Sequence, residues 1–408
     1  MANDRDILRR LAGRWMEIAG LPIMAERKRQ WTALHDLKQE RPMVLFETWT
    51  LENYVAQDEL ECEDPGLRWV ELTMRWNIRQ FAEVGDDIVL EPVWRLGYHA
   101  GGTGWGVDVP SEHATDIEGG SIGYRFDHPI KTPEDLDRLQ TRTFSVDREA
   151  TARSVEQHED LFGDILPVVL HGTTAHGPAL TFEAFRLLGN ANLLTWPYDQ
   201  PEALHRLKAF LRDDRVAWFD FLEREGLLGL NNNWTFVGSG SPGFTTALPA
   251  ADYAGKARLK DVWVGVESQE TTSISPDQFA EFFLPYMADV CRPFGLAYYG
   301  CCEPVHDRWH HIIRAIPQVR GVSVSPWCDM PKVAAMLGKD VVFSRKPAPG
   351  AMSGAVADWA ALERDVDETW AAAKECNVEF VYRDVYRIGG ERERLAKWVA
   401  MVRRKVGA

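Results

Sequence analysis

Between residues 160 and 405 the chain alternates short apolar runs with longer stretches whose apolar positions recur every three or four residues. The runs predict buried strands and the stretches amphipathic helices: a strand covered on both faces is apolar throughout, whereas a helix is apolar along one stripe. Strands are predicted at 43–47, 88–91, 166–171, 227–231, 262–267, 296–299, 321–325, 340–344 and 379–383. Helices are predicted at 4–39 (two), 64–84, 133–161, 180–197, 201–225, 276–293, 304–315, 329–337, 357–374 and 389–406. Pro304 is placed to open one of them, since proline suits a helix's first turn.

Strands and helices joined by short connections are the pattern of a parallel sheet with crossover helices. The expectation is an α/β fold: a single (β/α)8 TIM barrel with an N-terminal helical and β-hairpin excursion. Nine strands are one too many, and 88–91 is assigned to the excursion. Residues 1–408 are read as one domain, with 1–130 holding the excursion and first strand and 131–408 the main barrel. The glycine-rich stretch 97–106 lacks the strand–GxGxxG–helix setting of a dinucleotide site, and no phosphate-binding lysine follows it. It reads as a loop on the active-site side or a flexible excursion. Residues 107–130 read as a hairpin turning at Gly119-Gly120.

Barrels place their chemistry at the carboxyl ends of their strands. Here those ends carry Glu47, His171, Asn231, Glu267-Ser-Gln-Glu270, Cys301-Cys302-Glu303, Trp327, Lys346 and Arg383-Asp384. The centre of the pattern is Leu296-Ala-Tyr-Tyr-Gly-Cys-Cys-Glu-Pro304, two thiols and a carboxylate just past a buried strand. Strand alternation puts Cys301 and Glu303 on the Tyr299 side and Cys302 on the other, unless the chain turns first. Two readings stand: small packed thiols, or a metal or reactive-thiol site with His306 as a further ligand candidate.

Composition narrows the class. With 61 acidic and 46 basic residues the formal charge is −15, and no Lys/Arg-rich run offers a nucleic-acid footprint. Six scattered cysteines do not make a disulfide framework, the N-terminal residues have no apolar signal core, and no stretch of about 18 apolar residues spans a membrane. The expected location is cytoplasmic. Sixteen tryptophans suit a large core or an aromatic-lined pocket.

Four stretches resemble the uroporphyrinogen decarboxylase superfamily: Asp199-Gln-Pro-Glu-Ala-Leu-His205, Ser275-Pro-Asp-Gln-Phe-Ala-Glu-Phe-Phe-Leu-Pro-Tyr286, the strand end at Gly300-Cys301-Cys302, and Met336-Leu-Gly-Lys-Asp-Val-Val342. The resemblance covers roughly 130–405 and implies a TIM barrel with two branches: cofactor-free porphyrinogen decarboxylases, and Zn-dependent methyltransferases that exchange methyl groups with a corrinoid protein. The decarboxylases' arginine-rich N-terminal motif has no counterpart after Pro42, where Met-Val-Leu-Phe-Glu-Thr-Trp stands. The methyltransferase branch carries His-x-Cys at the central strand end and Cys on the last strand; here Cys301-Cys302-Glu303 and Asp384 occupy those places.

The implied site is zinc on Glu267, Cys301, Cys302 and Asp384. Glu270, Glu303 and Gln269 form the catalytic group, and His171, Asn231, Trp327 and Lys346 hold the substrate. The implied activity moves a methyl group from a small methylated compound, including methoxylated aromatics as in O-demethylation, to a corrinoid on a separate protein. A metal-dependent lyase or decarboxylase and a non-catalytic small-molecule-binding barrel are the alternatives.

Overall fold

A computed structural model describes residues 2–115, 121–173 and 180–407. In chain order its strands are β1 (Met43–Phe46), β2 (Trp94–Leu96), β3 (His99–Gly102), β4 (Ser111–Thr115), β5 (Ser121–Phe126), β6 (Phe144–Asp147), β7 (Val168–Leu170), β8 (Trp263–Val266), β9 (Leu296–Tyr299), β10 (Val319–Val324), β11 (Val342–Arg345) and β12 (Asn377–Tyr382). Six form one parallel sheet in the order β1-β12-β11-β10-β9-β8. The first strand lies beside the last, with Phe46 opposite Tyr382, so the N-terminal part of the chain contributes to the same sheet as the C-terminal part.

All four residues of β1, β8, β9 and β11 and all six of β12 are buried, as expected of parallel strands covered on both faces. The two faces feed different cores. Val44, Phe46, Val264, Val266, Ala297 and Tyr299 pack with the crossover helices. Leu45 and Val381 join Ile7, Leu8, Trp15 and Trp31 from the N-terminal helices Ala2–Ala19 and Pro22–His35.

The parallel ladder runs through six strands, short of the eight expected. Segment 88–91 is not a strand, although Ile88, Val89 and Leu90 are buried. Its polar backbone is satisfied by side chains: Arg27 donates to the Ile88 carbonyl (2.8 Å), Trp31 to the Asp87 carbonyl (2.9 Å), and the Leu90 amide meets Met24 Sδ at 3.3 Å. Buried apolar character therefore does not separate strand from irregular core chain when side chains supply the hydrogen bonds. β2 follows six residues later than expected and, among the described residues, pairs with β7 alone. Segment 227–231 makes one isolated bridge, Leu228 to Thr173.

Three other expectations change. Region 133–161 is a 3-10 turn (Pro133–Arg138), β6 and helix Arg148–His158; β6 pairs antiparallel with β3, so part of stretch 97–106 is ordered sheet. Helix 276–293 breaks at Phe283, where Pro285 opens a second helix, Leu284–Cys291. Pro304 opens no helix: the next one is Trp309–Ala315. The hairpin appears as β4 and β5, and its expected turn at Gly119-Gly120 lies outside the described residues. No helix among the described residues is long and apolar enough to cross a membrane.

Asp87 ties the N-terminal part to the sheet. Its carboxylate, 1% exposed, accepts from Arg41 (2.9 and 3.0 Å), Arg403 of the last helix (2.7 Å) and the Val44 amide (2.8 Å). Its own amide donates to the Val44 carbonyl at 2.8 Å. Asp87→Ala strands two guanidinium groups and a strand amide, and should cost about 2–4 kcal/mol. Chemical denaturation checks this; a loss under about 0.5 kcal/mol, the surface-substitution range, would contradict it.

Candidate active site

The carboxyl ends of β8 and β9 meet at one buried carboxylate. β9 ends at Tyr299, and the Gly300 amide still donates to the Val266 carbonyl of β8 (2.8 Å). At Gly300 the chain takes φ +91°, a conformation that favours glycine. That turn ends the strand alternation and brings both following thiols to the same side. Glu303, fully buried, reaches back beneath them. Its Oε1 accepts from the Ser268 amide (2.8 Å) and hydroxyl (3.2 Å), and its Oε2 from the Cys301 amide (3.0 Å). Ser323 and Ser239 donate to the carbonyls of Cys301 (2.7 Å) and Gly300 (2.9 Å), adding β10 and the 238–241 loop to the brace. That loop passes so close to Tyr298 that a Cβ on Gly238 would stand 1.9 Å from the ring.

Above the brace lies a cavity of about 490 Å³. Glu267, Gln269, Cys301, Cys302, Trp327, Lys346 and Asp384 line it, together with Arg383, Tyr298 and Tyr386. The two sulfurs are 3.6 Å apart, and Arg383 Nη1 lies 3.8 Å from that of Cys301. Arg383 Nε is also 3.3 Å from Glu47 and 3.4 Å from Asp384, whose backbone holds φ +59°. One guanidinium thus joins a thiol and two carboxylates.

The electrostatics are uneven. Cys301's hydrogen bond to Cys302 pushes the Cys301 thiol well up, with burial adding to it, and the same bond pulls Cys302 below the ordinary thiol range. Burial raises Glu267 to about 9, helped by nearby Cys301, Glu303 and Glu270, so its carboxyl holds a proton at neutral pH. Burial lowers Lys346 to about 8, opposed by Glu379. Lys346 donates to Ser344 Oγ, and the hydroxyls of Ser344 and Ser241 both donate to Glu379. The site thus offers one thiol biased to ionise, one neutral acid and two cations in a partly dry cleft.

Four sequence candidates stand outside the cavity lining. Glu303 is the brace, with both oxygens engaged behind the thiols. Glu270 accepts from Thr181 Oγ1 at 2.6 Å. Asn231 spends its amide on the Trp263 backbone, donating to the carbonyl (3.1 Å) and accepting from the amide (2.9 Å), and so fixes segment 227–231 to β8. His171 lies near Thr235 Oγ1, at 3.5 Å. His306, the further ligand candidate, accepts from the Asp329 amide at 3.2 Å. Arg383 carries more contacts than its place beside Asp384 suggested. The long-range approach of the Gly/Ser loop at 238–241 to Tyr298 has no local signal in the sequence.

Two thiols and a carboxyl are donor types that suit zinc. Their arrangement is not a formed metal site: among the described residues no three His, Cys, Asp or Glu side chains are grouped to hold an ion. Asp384 is turned to Arg383, which also lies against Cys301.

His171 gives a pH prediction. Burial, then the nearby Arg95, lowers it from 6.5 to about 4, so it is neutral when folded and charged when unfolded between those values. Its contribution is fully present above about 6.5 and lost as pH falls toward 4. His171→Gln should therefore lose less stability than the parent between pH 7 and pH 4.5. Denaturation midpoints at the two pH values check this, and equal losses would contradict it.

No family model matches this sequence, and no curated protein does. Among solved structures the chain is similar to a methyltransferase from Methanosarcina mazei, at 11% identity and TM-score 0.50, over 93% of this chain and 98% of that one. At that identity the likeness establishes the fold alone: an α/β fold of barrel type, shared over nearly the whole length.

Proposed function

We propose that the chain acts as one barrel domain and is a methyltransferase. It removes a methyl group from a small methylated compound, with methoxylated aromatics as the substrate class, and passes it to a corrinoid carried by a separate protein. The observation that carries this reading is the thiol pair Cys301/Cys302, polarised by its own hydrogen bond and placed with Glu267 and Arg383 in one cavity at the strand ends. The fold shared with a methyltransferase and the sequence resemblance support it.

The chain's own residues do most of the described work. Pro326, Trp327, Pro347, Pro349 and Tyr386 give the cavity apolar walls for a ring. Trp327 and Tyr386, 62% and 57% exposed, stand free at the rim. Glu267 holds a proton where a departing oxygen needs one, a task for which a carboxyl raised toward neutral pH or above is suited. Glu270 accepts from Thr181 and is outside the cavity lining, so the reading gives the proton to Glu267.

Zinc is a second, separable proposal. Glu267, Cys301 and Cys302 are the donors that would hold it, and the bound ion would polarise the donor oxygen as a Lewis acid. Each would have to give up its proton first, so zinc affinity should rise with pH.

Substituting Cys301 and Cys302 by Ala should abolish methyl transfer to reduced cobalamin while shifting the melting temperature by no more than a few degrees, since two small side chains beside a cavity leave little void. Full activity in that variant would overturn the proposal, and turnover with no methyl acceptor present would point to a lyase. Glu267→Gln separates the roles of Glu267. As the acid its loss slows transfer about 100-fold or more with metal content unchanged; as a ligand its loss removes the zinc, read by metal analysis after dialysis against zinc.

A further inference from the structure

The two thiols of the cavity are set side by side before anything binds them. Cys301 is pinned on both sides of its Cα: its amide donates to Glu303 (3.0 Å) and its carbonyl accepts from Ser323 (2.7 Å). The turn at Gly300 then leaves the sulfurs of Cys301 and Cys302 3.6 Å apart. Neither is in a disulfide, both are half-buried, and both line the cavity. The other four cysteines line no part of it: Cys62, Cys291 and Cys328 are buried, and the Cys376 thiol donates to the Ala334 carbonyl (3.6 Å).

That spacing discriminates among the partners a dithiol can take. Direct closure to a disulfide would join residues whose Cα atoms stand about 3.8 Å apart across a trans peptide. Ordinary disulfides span roughly 4.4–6.8 Å between Cα atoms, so this one would be strained. A linear two-coordinate ion needs its sulfurs on opposite sides of it, and these lie together. An ion that needs three protein ligands finds no third donor already grouped with the pair among the described residues. A pyramidal centre bonded to one carbon and two sulfurs meets every one of these conditions. Trivalent arsenic with one organic substituent is such a centre. Two adjacent thiols complete it, and the product is neutral, which suits a partly dry cleft.

We infer that Cys301 and Cys302 form a binding site for trivalent organoarsenicals, with an aromatic substituent on the arsenic lying against Trp327 and Tyr386. In the binding step the hydrated arsenical, RAs(OH)2, loses both hydroxyl groups. Two As–O bonds break, two As–S bonds form, and the two thiol protons leave with the hydroxyls as two waters. Arsenic stays trivalent, so no oxidant or reductant takes part. The first As–S bond makes the second intramolecular, and the pinned backbone has already set the second sulfur within reach. Together these favour the chelate over attachment to one thiol by about 100-fold or more. The walls choose the substituent. Pro326, Trp327, Pro347 and Tyr386 are apolar, and an aryl ring buries more area against them than a methyl group does. The adduct fills the cavity beside the thiols, and its formation does not depend on methyl transfer taking place there.

Native mass spectrometry of the full chain with phenylarsine oxide tests this. No methyl donor or corrinoid is present, so failure here leaves the methyl-transfer reading standing. One adduct should form per chain, with a mass gain of C6H5As less two hydrogens, the mark of two bonds to sulfur. Excess monothiol should leave it in place and 1,2-ethanedithiol should remove it, the dithiol concentration that removes half giving the affinity. Cys301→Ser and Cys302→Ser should each weaken binding about 100-fold or more, and Cys376→Ser should bind as the parent does. Trp327→Ala, at a position 62% exposed and so harmless to folding, should cut the preference for phenylarsine oxide over methylarsonous acid about tenfold. No adduct at stoichiometric phenylarsine oxide, or unchanged affinity in either serine variant of the pair, would overturn the proposal. So would loss of the adduct in Cys376→Ser, or a preference for the aryl arsenical that Trp327→Ala leaves intact.

Discussion

The buried carboxylate of Glu303 is the constraint on which the site depends. It accepts three hydrogen bonds, two from Ser268 and one from the Cys301 amide, and so locks the end of β8 to the turn after β9. A carboxylate without water is costly unless its oxygens are engaged, and here the donors come from the two strand ends that must stay together. Gly300 supplies the turn, Glu303 fixes its depth, and the two cysteines are left facing the cavity.

Around that brace the charges are arranged economically. Arg383 touches Cys301, Glu47 and Asp384, so one half-buried guanidinium sets the field around the thiols. Buried ion pairs are weak stabilisers, because desolvation offsets much of the attraction. Their value here is positional: removing Arg383 would leave two carboxylates and a thiol facing one another. Lys346, Ser344, Ser241 and Glu379 form a second polar layer beneath, which turns the sheet interior from apolar packing into a supporting network.

Much of the sheet was legible in the sequence because parallel strands covered on both faces write themselves as apolar runs. The strand at Leu296–Tyr299 was placed to the residue, and Cys301, Cys302, Glu267, Gln269, Trp327, Lys346 and Asp384 were gathered into one cavity by the rule that strand ends carry the chemistry. What was not legible depended on partners distant in the chain. Ile88–Leu90 looks like a strand, yet side chains of the Pro22–His35 helix satisfy its backbone. Glu303 looks like a catalytic acid beside the thiols, yet its two oxygens point back into the protein. Asn231 ends an apolar run as a ligand would, yet it serves the backbone of β8. The aromatic pocket between Trp69 and Trp76 of helix Pro65–Glu83 and Trp234 and Phe236 needed elements far apart in the chain to meet, a pairing that no local spacing encodes.

The central claim is that the brace holds an asymmetric thiol pair, in which the contact between the two sulfurs raises Cys301 and lowers Cys302. Alkylation of the native protein with iodoacetamide over a pH series, with each cysteine followed by mass spectrometry, measures this directly. Cys302 should be modified first and at lower pH than Cys301 or the partly exposed Cys376, whose thiol burial raises. Cys301 reacting as fast as Cys302, or Cys302 lagging behind Cys376, would contradict the account.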